Sequence, residues 1–166
     1  MGGTVTARST LIQTSSSLRF ELRPTLDLDG ATAYMIINVP NSLQFQGPSC
    51  TVTDIAGGLN TAMRCSRISH QITLSQPFIG FFNASTAETL SMTVAEFLMP
   101  SSVQDLGAIQ VVTYDIRRDA EEIRAGRPGR YRPIDMAELT ELKTHSGTIT
   151  KLSDVEVSSK VTSAMD

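Results

Sequence analysis

The chain has 166 residues, 40% of them hydrophobic, and a formal net charge of −3. That suffices for one core of ordinary size plus an appendage, and it supplies no global field that would draw the protein to nucleic acid or an acidic membrane. Aromatics at 5% and the absence of Trp count against sugar-stacking platforms, and charged residues at only 19% suit a secreted β-protein better than a cytosolic enzyme.

In chain order, Met1-Gly2-Gly3-Thr4 runs straight into a strand pattern, in which Val5, Ala7, Ser9 and Leu11 alternate with polar residues. No signal-peptide pattern is present, so an extracellular protein would be a processed or excised piece of something longer. The same residues fit a loose myristoylation pattern, but a Gly-rich strand lead-in is the simpler account. After Ser15-Ser16-Ser17 the phase resets. Leu18, Phe20 and Leu22 then face one side and Arg19, Glu21 and Arg23 the other, which predicts a half-buried strand.

Pro24 and Asp27-Leu28-Asp29-Gly30 end that unit. Ala33–Val39 is apolar on both faces, as a central strand would be. Short strands are predicted at Leu43–Phe45, Ser49–Thr53 and Gln71–Leu74, and longer ones at Leu90–Phe97 and Ile109–Tyr114. Short strands parted by turn signals, with no βαβ rhythm, indicate a sandwich or small barrel.

The stretch from 116 to 146 differs. It holds Arg117, Arg118, Arg124, Arg127, Arg130 and Arg132 interleaved with acids. Capping-box patterns at Asp119–Glu122 and at Asp135–Glu138, ahead of Leu139 and Leu142, predict two short helical turns, with a hairpin around Pro128-Gly129 as the competitor. This segment is expected to be a charged connector or insertion. The interleaved acids and the single nearby aromatic, Tyr131, argue against a nucleic-acid footprint.

The last stretch, 147–166, returns to strand character and repeats the opening. Gly147-Thr148-Ile149-Thr150 matches Gly3-Thr4-Val5-Thr6 at an offset of 144 (147 − 3). Ile149, Val155, Val157 and Val161 share the parity of Val5 and Leu11. A chain that carries one domain and then the opening strand of a second is either cut from a tandem array or built to join copies of itself.

Chemistry has few candidates. His70 and His145 lack metal-ligand neighbours at i+2 or i+4, and no Gly-x-Ser-x-Gly elbow accompanies them. Asp27-Leu28-Asp29-Gly30 begins like a calcium loop without the later ligands, so a turn explains it better. No metal, cofactor or catalytic residue is expected. Cys50 and Cys65 enclose Ala56-Gly57-Gly58-Leu59-Asn60. They are either buried free thiols or a disulfide, the bridge being favoured because Asn83-Ala84-Ser85 supplies an N-glycosylation sequon that has meaning only in the secretory route.

The order of these features resembles a known family. Gly3-Thr4-Val5-Thr6, the alternating strand, the apolar strand ending Ile37-Asn38-Val39-Pro40, the cysteine pair, and Met99-Pro100-Ser101-Ser102 leading to Gly107–Asp115 are similar to the tandem immunoglobulin-like modules of very large extracellular proteins of protists and algae, including mastigoneme-type and other surface filament proteins. Met99 and the long Arg-rich stretch depart from that pattern. The resemblance implies a structural or adhesive role with no active site.

The expectation is therefore an all-β, immunoglobulin-like β-sandwich over 1–115, a charged connector over 116–146, and a strand over 147–166 that completes or begins an adjoining copy. The function expected is a structural subunit of an extracellular filament or surface array, its partners being copies of itself. The alternative is a monomeric adhesion or binding domain for protein or glycan. A hydrolase with a non-local triad and a viral jelly-roll coat protein are the more distant options.

Overall fold

The computed structural model describes residues 1–86, 89–115, 133–140 and 142–143. Twelve strands occur among them: β1 (Gly2–Ala7), β2 (Ser15–Arg23), β3 (Leu28–Asp29), β4 (Ala33–Asn38), β5 (Gln44–Phe45), β6 (Thr51–Ala56), β7 (Arg64–Ile68), β8 (Gln71–Ser75), β9 (Phe81–Phe82), β10 (Leu90–Leu98), β11 (Ile109–Asp115) and β12 (Pro133–Leu139). No helix occurs among the described residues.

Two antiparallel sheets carry the fold. The first has the order β1-β2-β10, with β5 and then β6 on the far side of β10; the second has the order β12-β11-β4-β8-β7. Labelled by the usual letters, the first is A-B-E-D and the second begins G-F-C, which is the immunoglobulin-like order. The β7–β8 hairpin widens the second sheet. A two-stranded patch, β3 with β9, closes one end.

Period-2 alternation builds the core. Val5, Leu18, Phe20, Leu22, Leu90, Met92 and Val94 point inward from the first sheet, against Met35, Ile37, Ile72, Leu74, Ile109 and Val111 from the second, all of them buried. Phe20 sits between Val5 on one side and Met92 on the other. In β10 the register shifts between Val94 and Phe97, which returns Phe97 to the interior after two residues that would otherwise have inverted the strand. Met99, the departure from the module pattern, is buried, and its N–H donates to the Thr14 carbonyl at 2.9 Å.

One sequence expectation is corrected. Asp135–Glu138, predicted to open a helical turn, lies within β12, paired with β11 from Ile109↔Leu139 to Tyr114↔Pro133. The capping-box pattern and the Leu139/Leu142 spacing suit a helix, but Ala137 and Leu139 also alternate with Met136 and Glu138. Burying that alternate face against the core, with a ladder to β11, prevails over local propensity. Leu142 is buried too, and its carbonyl accepts the Leu106 N–H at 3.1 Å. The sandwich thus includes residues from inside the span expected to be connector. The Arg-rich segment 116–132, its predicted turn at Asp119–Glu122 and the hairpin around Pro128-Gly129 lie outside the described residues.

Candidate assembly edge and poles

The first copy of the repeated segment is β1, and it is an edge strand. It pairs with β2 alone among the described strands, from Gly2↔Arg23 to Ala7↔Leu18. Val5 is buried while Thr4 and Thr6 face solvent, so this short segment reads its inward position through one side chain. Gly3 has a packing reason: a Cβ there would meet the Glu21 carbonyl oxygen at 2.8 Å and Leu22 Cδ2 at 2.9 Å. A shallow groove of about 510 Å³ opens beside it, lined by Gly2, Gly3, Thr4, Glu21, Arg23, Thr89 and Ser91. Arg23 Nε donates to Thr89 Oγ1 across that groove at 3.0 Å.

Edges left open are usually blunted by charge, proline or bulges. The other edges follow this rule. β7 carries Arg64 and Arg67, β12 begins at Pro133, and the β5/β6 edge is broken in two. β1 has neither proline nor charged residue along Gly2–Ala7.

The register also fixes which way the chain runs. β1 starts at the end of the sandwich where β2 ends at Arg23 and where β3 and β9 lie, here termed the upper pole. β12 runs downward beside β1 and ends at Leu139, opposite Ile109, the first residue of β11. Beyond it Lys143 bridges to Asp105, with Nζ 3.6 Å from the carboxylate, at the lower pole. The described body therefore begins at one pole and finishes at the other.

Large exposed apolar side chains concentrate on those poles. Leu26, Ile79 (68% exposed) and Phe81 (64%) cap the upper one; Ile68 (80%), at the tip of the β7–β8 hairpin, and Val103, in the β10–β11 connection, cap the lower one. Met136, on β12, is the remaining member of this exposed set among the described residues. Sequence alone did not single out these five, because their grouping depends on strand order.

The residues singled out from sequence fall as follows. Cys50 and Cys65 are joined as a disulfide, with Cα atoms 5.6 Å apart. Cys50 directly precedes β6 on the first sheet and Cys65 lies in β7 on the second, so the bridge staples the two sheets along one side. On the same side Arg67 donates to the Gly47 carbonyl at 2.7 Å and stacks over the Phe45 ring at 4.4 Å. The glycine stretch between the cysteines is anchored, since Leu59 is buried and bridged to Phe78.

Asn83 is exposed in a turn at the upper pole; its Oδ1 accepts the Ser85 N–H at 3.0 Å and the Ser85 hydroxyl at 2.7 Å. His70 sits half-buried at the hairpin turn, its ring 6.4 Å from that of Phe45. Asp27 and Asp29 use carboxylate oxygens as turn acceptors for the Ala84 and Ala31 N–H groups, at 2.8 and 3.0 Å. No cluster of three His, Cys, Asp or Glu residues arranged to hold a metal occurs among the described residues. Ile149, Val155, Val157, Val161 and His145 lie outside the described residues. At the offset of 144 the four apolar positions correspond to Val5, Leu11, Gln13 and Ser17, and only Val5 belongs to β1.

No family model matches the chain, and no curated protein matches it. Among solved structures it is similar to the crystal structure of the Actinomyces fimbrial adhesin FimA, with 10% sequence identity and a TM-score of 0.36, over 92% of this chain and 52% of that one. The chain spans about half the length of that protein.

Proposed function

We propose that this protein is a non-enzymatic structural subunit of an extracellular filament or surface array, joined head-to-tail by residues 147–166. The observation that carries this reading is the placement of the repeated segment. Its first copy is an uncharged, proline-free edge strand that starts at the upper pole, and the second copy begins four residues after Lys143, which sits at the lower pole. From Lys143 to Gly147 a chain spans at most about 14 Å. β11 alone, seven residues long, extends about 23 Å between the poles. A segment starting at Gly147 is therefore too short to reach the seat of Gly3 in its own subunit, whereas the upper pole of a following copy lies within range.

β1 fills that seat in the described chain, so Ile149 takes the position of Val5 by replacing β1 of a neighbour or by opening the next module; either way it restores a burial worth about 1.5–3 kcal/mol, with backbone ladder bonds fixing the register. The same geometry serves a covalent tandem array and a non-covalent polymer. The disulfide supports an oxidising, extracellular setting, and the Asn83 sequon is proposed as a glycan site in that setting.

The test is assembly state. Full-length protein is expected to form concentration-dependent oligomers by size-exclusion chromatography with light scattering, and deletion of 147–166 should leave folded monomers. Unchanged assembly after the deletion defeats the strand-joining reading.

One observation favours the second reading, a monomeric adhesion domain. On the outer face of the second sheet every outward residue of β11, β4 and β8 is uncharged. An amide ladder crosses one end of it, Gln71 Nε2 donating to Asn38 Oδ1 at 3.1 Å and Asn38 Nδ2 to Gln110 Oε1 at 3.0 Å, and the stacked rings of Tyr34 and Tyr114 occupy the other end, with the Ile36, Val112 and Thr73 row between. Such a face suits an uncharged protein or glycan surface. A full-length chain that stays monomeric at every concentration favours this role.

A further inference from the structure

We infer that successive copies meet pole against pole, with Leu26, Ile79 and Phe81 of one copy seated on Ile68 and Val103 of the next. The inference rests on the head-to-tail reading and adds a contact that strand joining alone does not require.

Two independent observations lead to it. The first is chain length. If Gly147 takes the place of Gly3 in a following copy, the stretch from Lys143 holds the two facing poles within about 14 Å. Lys143 itself is tied to Asp105, two residues from Val103, so the last described residue lies beside the lower apolar cap. The poles are thus brought together by the joint whatever their surfaces are.

The second is what those surfaces are. Loop tips ordinarily carry polar residues because water is their neighbour. Here the hairpin tip presents Ile68 and the β9 region presents Ile79 and Phe81, all more than half exposed, whereas among the described strands between the poles Met136 is the one large apolar side chain exposed to a comparable degree. Apolar side chains clustered at the two places a linear joint would press together mark a contact surface, and the contact is heterologous, upper pole to lower. The occupant is a second copy of this chain.

The experiment uses the full-length protein and three variants: Ile79→Asp with Phe81→Asp at the upper pole, Ile68→Asp at the lower pole, and Thr73→Asp on the outer face of the second sheet as a charge control. Light scattering over a concentration series gives the midpoint of assembly, and thermal melting reports the fold. The two pole variants should raise the midpoint roughly tenfold or more with unchanged melting, and Thr73→Asp should leave it in place. A Phe81→Lys protein mixed with Ile68→Asp should regain assembly through the new charge pair. If the double aspartate variant fails to fold, Phe81→Ser with Ile79→Ser makes the same comparison.

Pole variants that assemble like wild type, while the 147–166 deletion disperses, overturn the pole contact and leave strand joining standing. Loss of assembly in Thr73→Asp to the same degree also overturns it, because added charge alone would then be the cause. A full-length chain that never assembles overturns both this inference and the reading beneath it.

Discussion

Replacing both Cys50 and Cys65 by alanine tests whether the sandwich depends on its side staple. The bridge closes a loop with a sequence separation of 15 and links the two sheets through β6 and β7. Loop-closure entropy for that separation gives about 3 kcal/mol. Both cysteines are only partly buried, so the substitution adds little cavity cost to that figure. A loss of about 3 kcal/mol lowers the melting temperature of a domain this size by about 6–12 °C. In urea the midpoint should fall while the slope rises slightly, because an unfolded chain without the cross-link exposes more surface. Wild-type protein in reductant should reproduce the double variant. A double variant within about 0.5 kcal/mol of wild type, or a wild type indifferent to reductant, refutes the argument that this bridge constrains the unfolded chain.

Three further outcomes are expected. Phe20→Ala, at a fully buried position between Val5 and Met92, should cost about 3–5 kcal/mol in urea unfolding. Gly57→Ala should cost clearly more than Gly58→Ala by the same assay: both have φ above +80°, worth about 1–2 kcal/mol each, but only at Gly57 would a Cβ strike the Thr89 carbonyl oxygen and come within 2.9 Å of Leu90 Cα. Protein made through a secretory route should show an intact mass above that of the sequence, lost in Asn83→Gln; because Asn83 stands two residues beyond Phe81, the glycosylated fraction should also assemble less well.

Much of the sandwich was legible from period-2 patterning. Leu18, Phe20 and Leu22 alternate so cleanly that their inward direction follows from sequence, and the two-sided apolarity of Ala33–Val39 matches the central place of β4 between β11 and β8. The β10 bulge was not legible, since an alternation that breaks after Val94 looks like a strand end until the partner strand is known. β12 was misjudged for a related reason: Ala137 contributes so little side chain that its parity is faint beside the helical spacing of Leu139 and Leu142, and only pairing with β11 decides it. Cys50 and Cys65 were visible as a pair, but their attachment to different sheets was not. The apolar poles were invisible, because Leu26, Ile68, Ile79, Phe81 and Val103 are scattered in sequence and are gathered only by topology.

The polarity of the joint follows from how many times the chain crosses the sandwich. β1 runs down, β2 up, β4 down, β5 and β6 together up, and the alternation continues through β7, β8, β10 and β11 until β12 runs down again. An odd number of crossings puts β1 and β12 parallel and ends the last described strand at the pole opposite the start of β1. With one crossing fewer, both ends would share a pole, and a joining strand would favour a closed two-fold pair in which each copy serves the other. In the proposed head-to-tail assembly, ends on opposite poles make the contact heterologous, and unless the rotation between copies closes a ring the array stays open. A linear filament is thus the arrangement that this strand count, this edge strand and a short link to a repeated segment favour together.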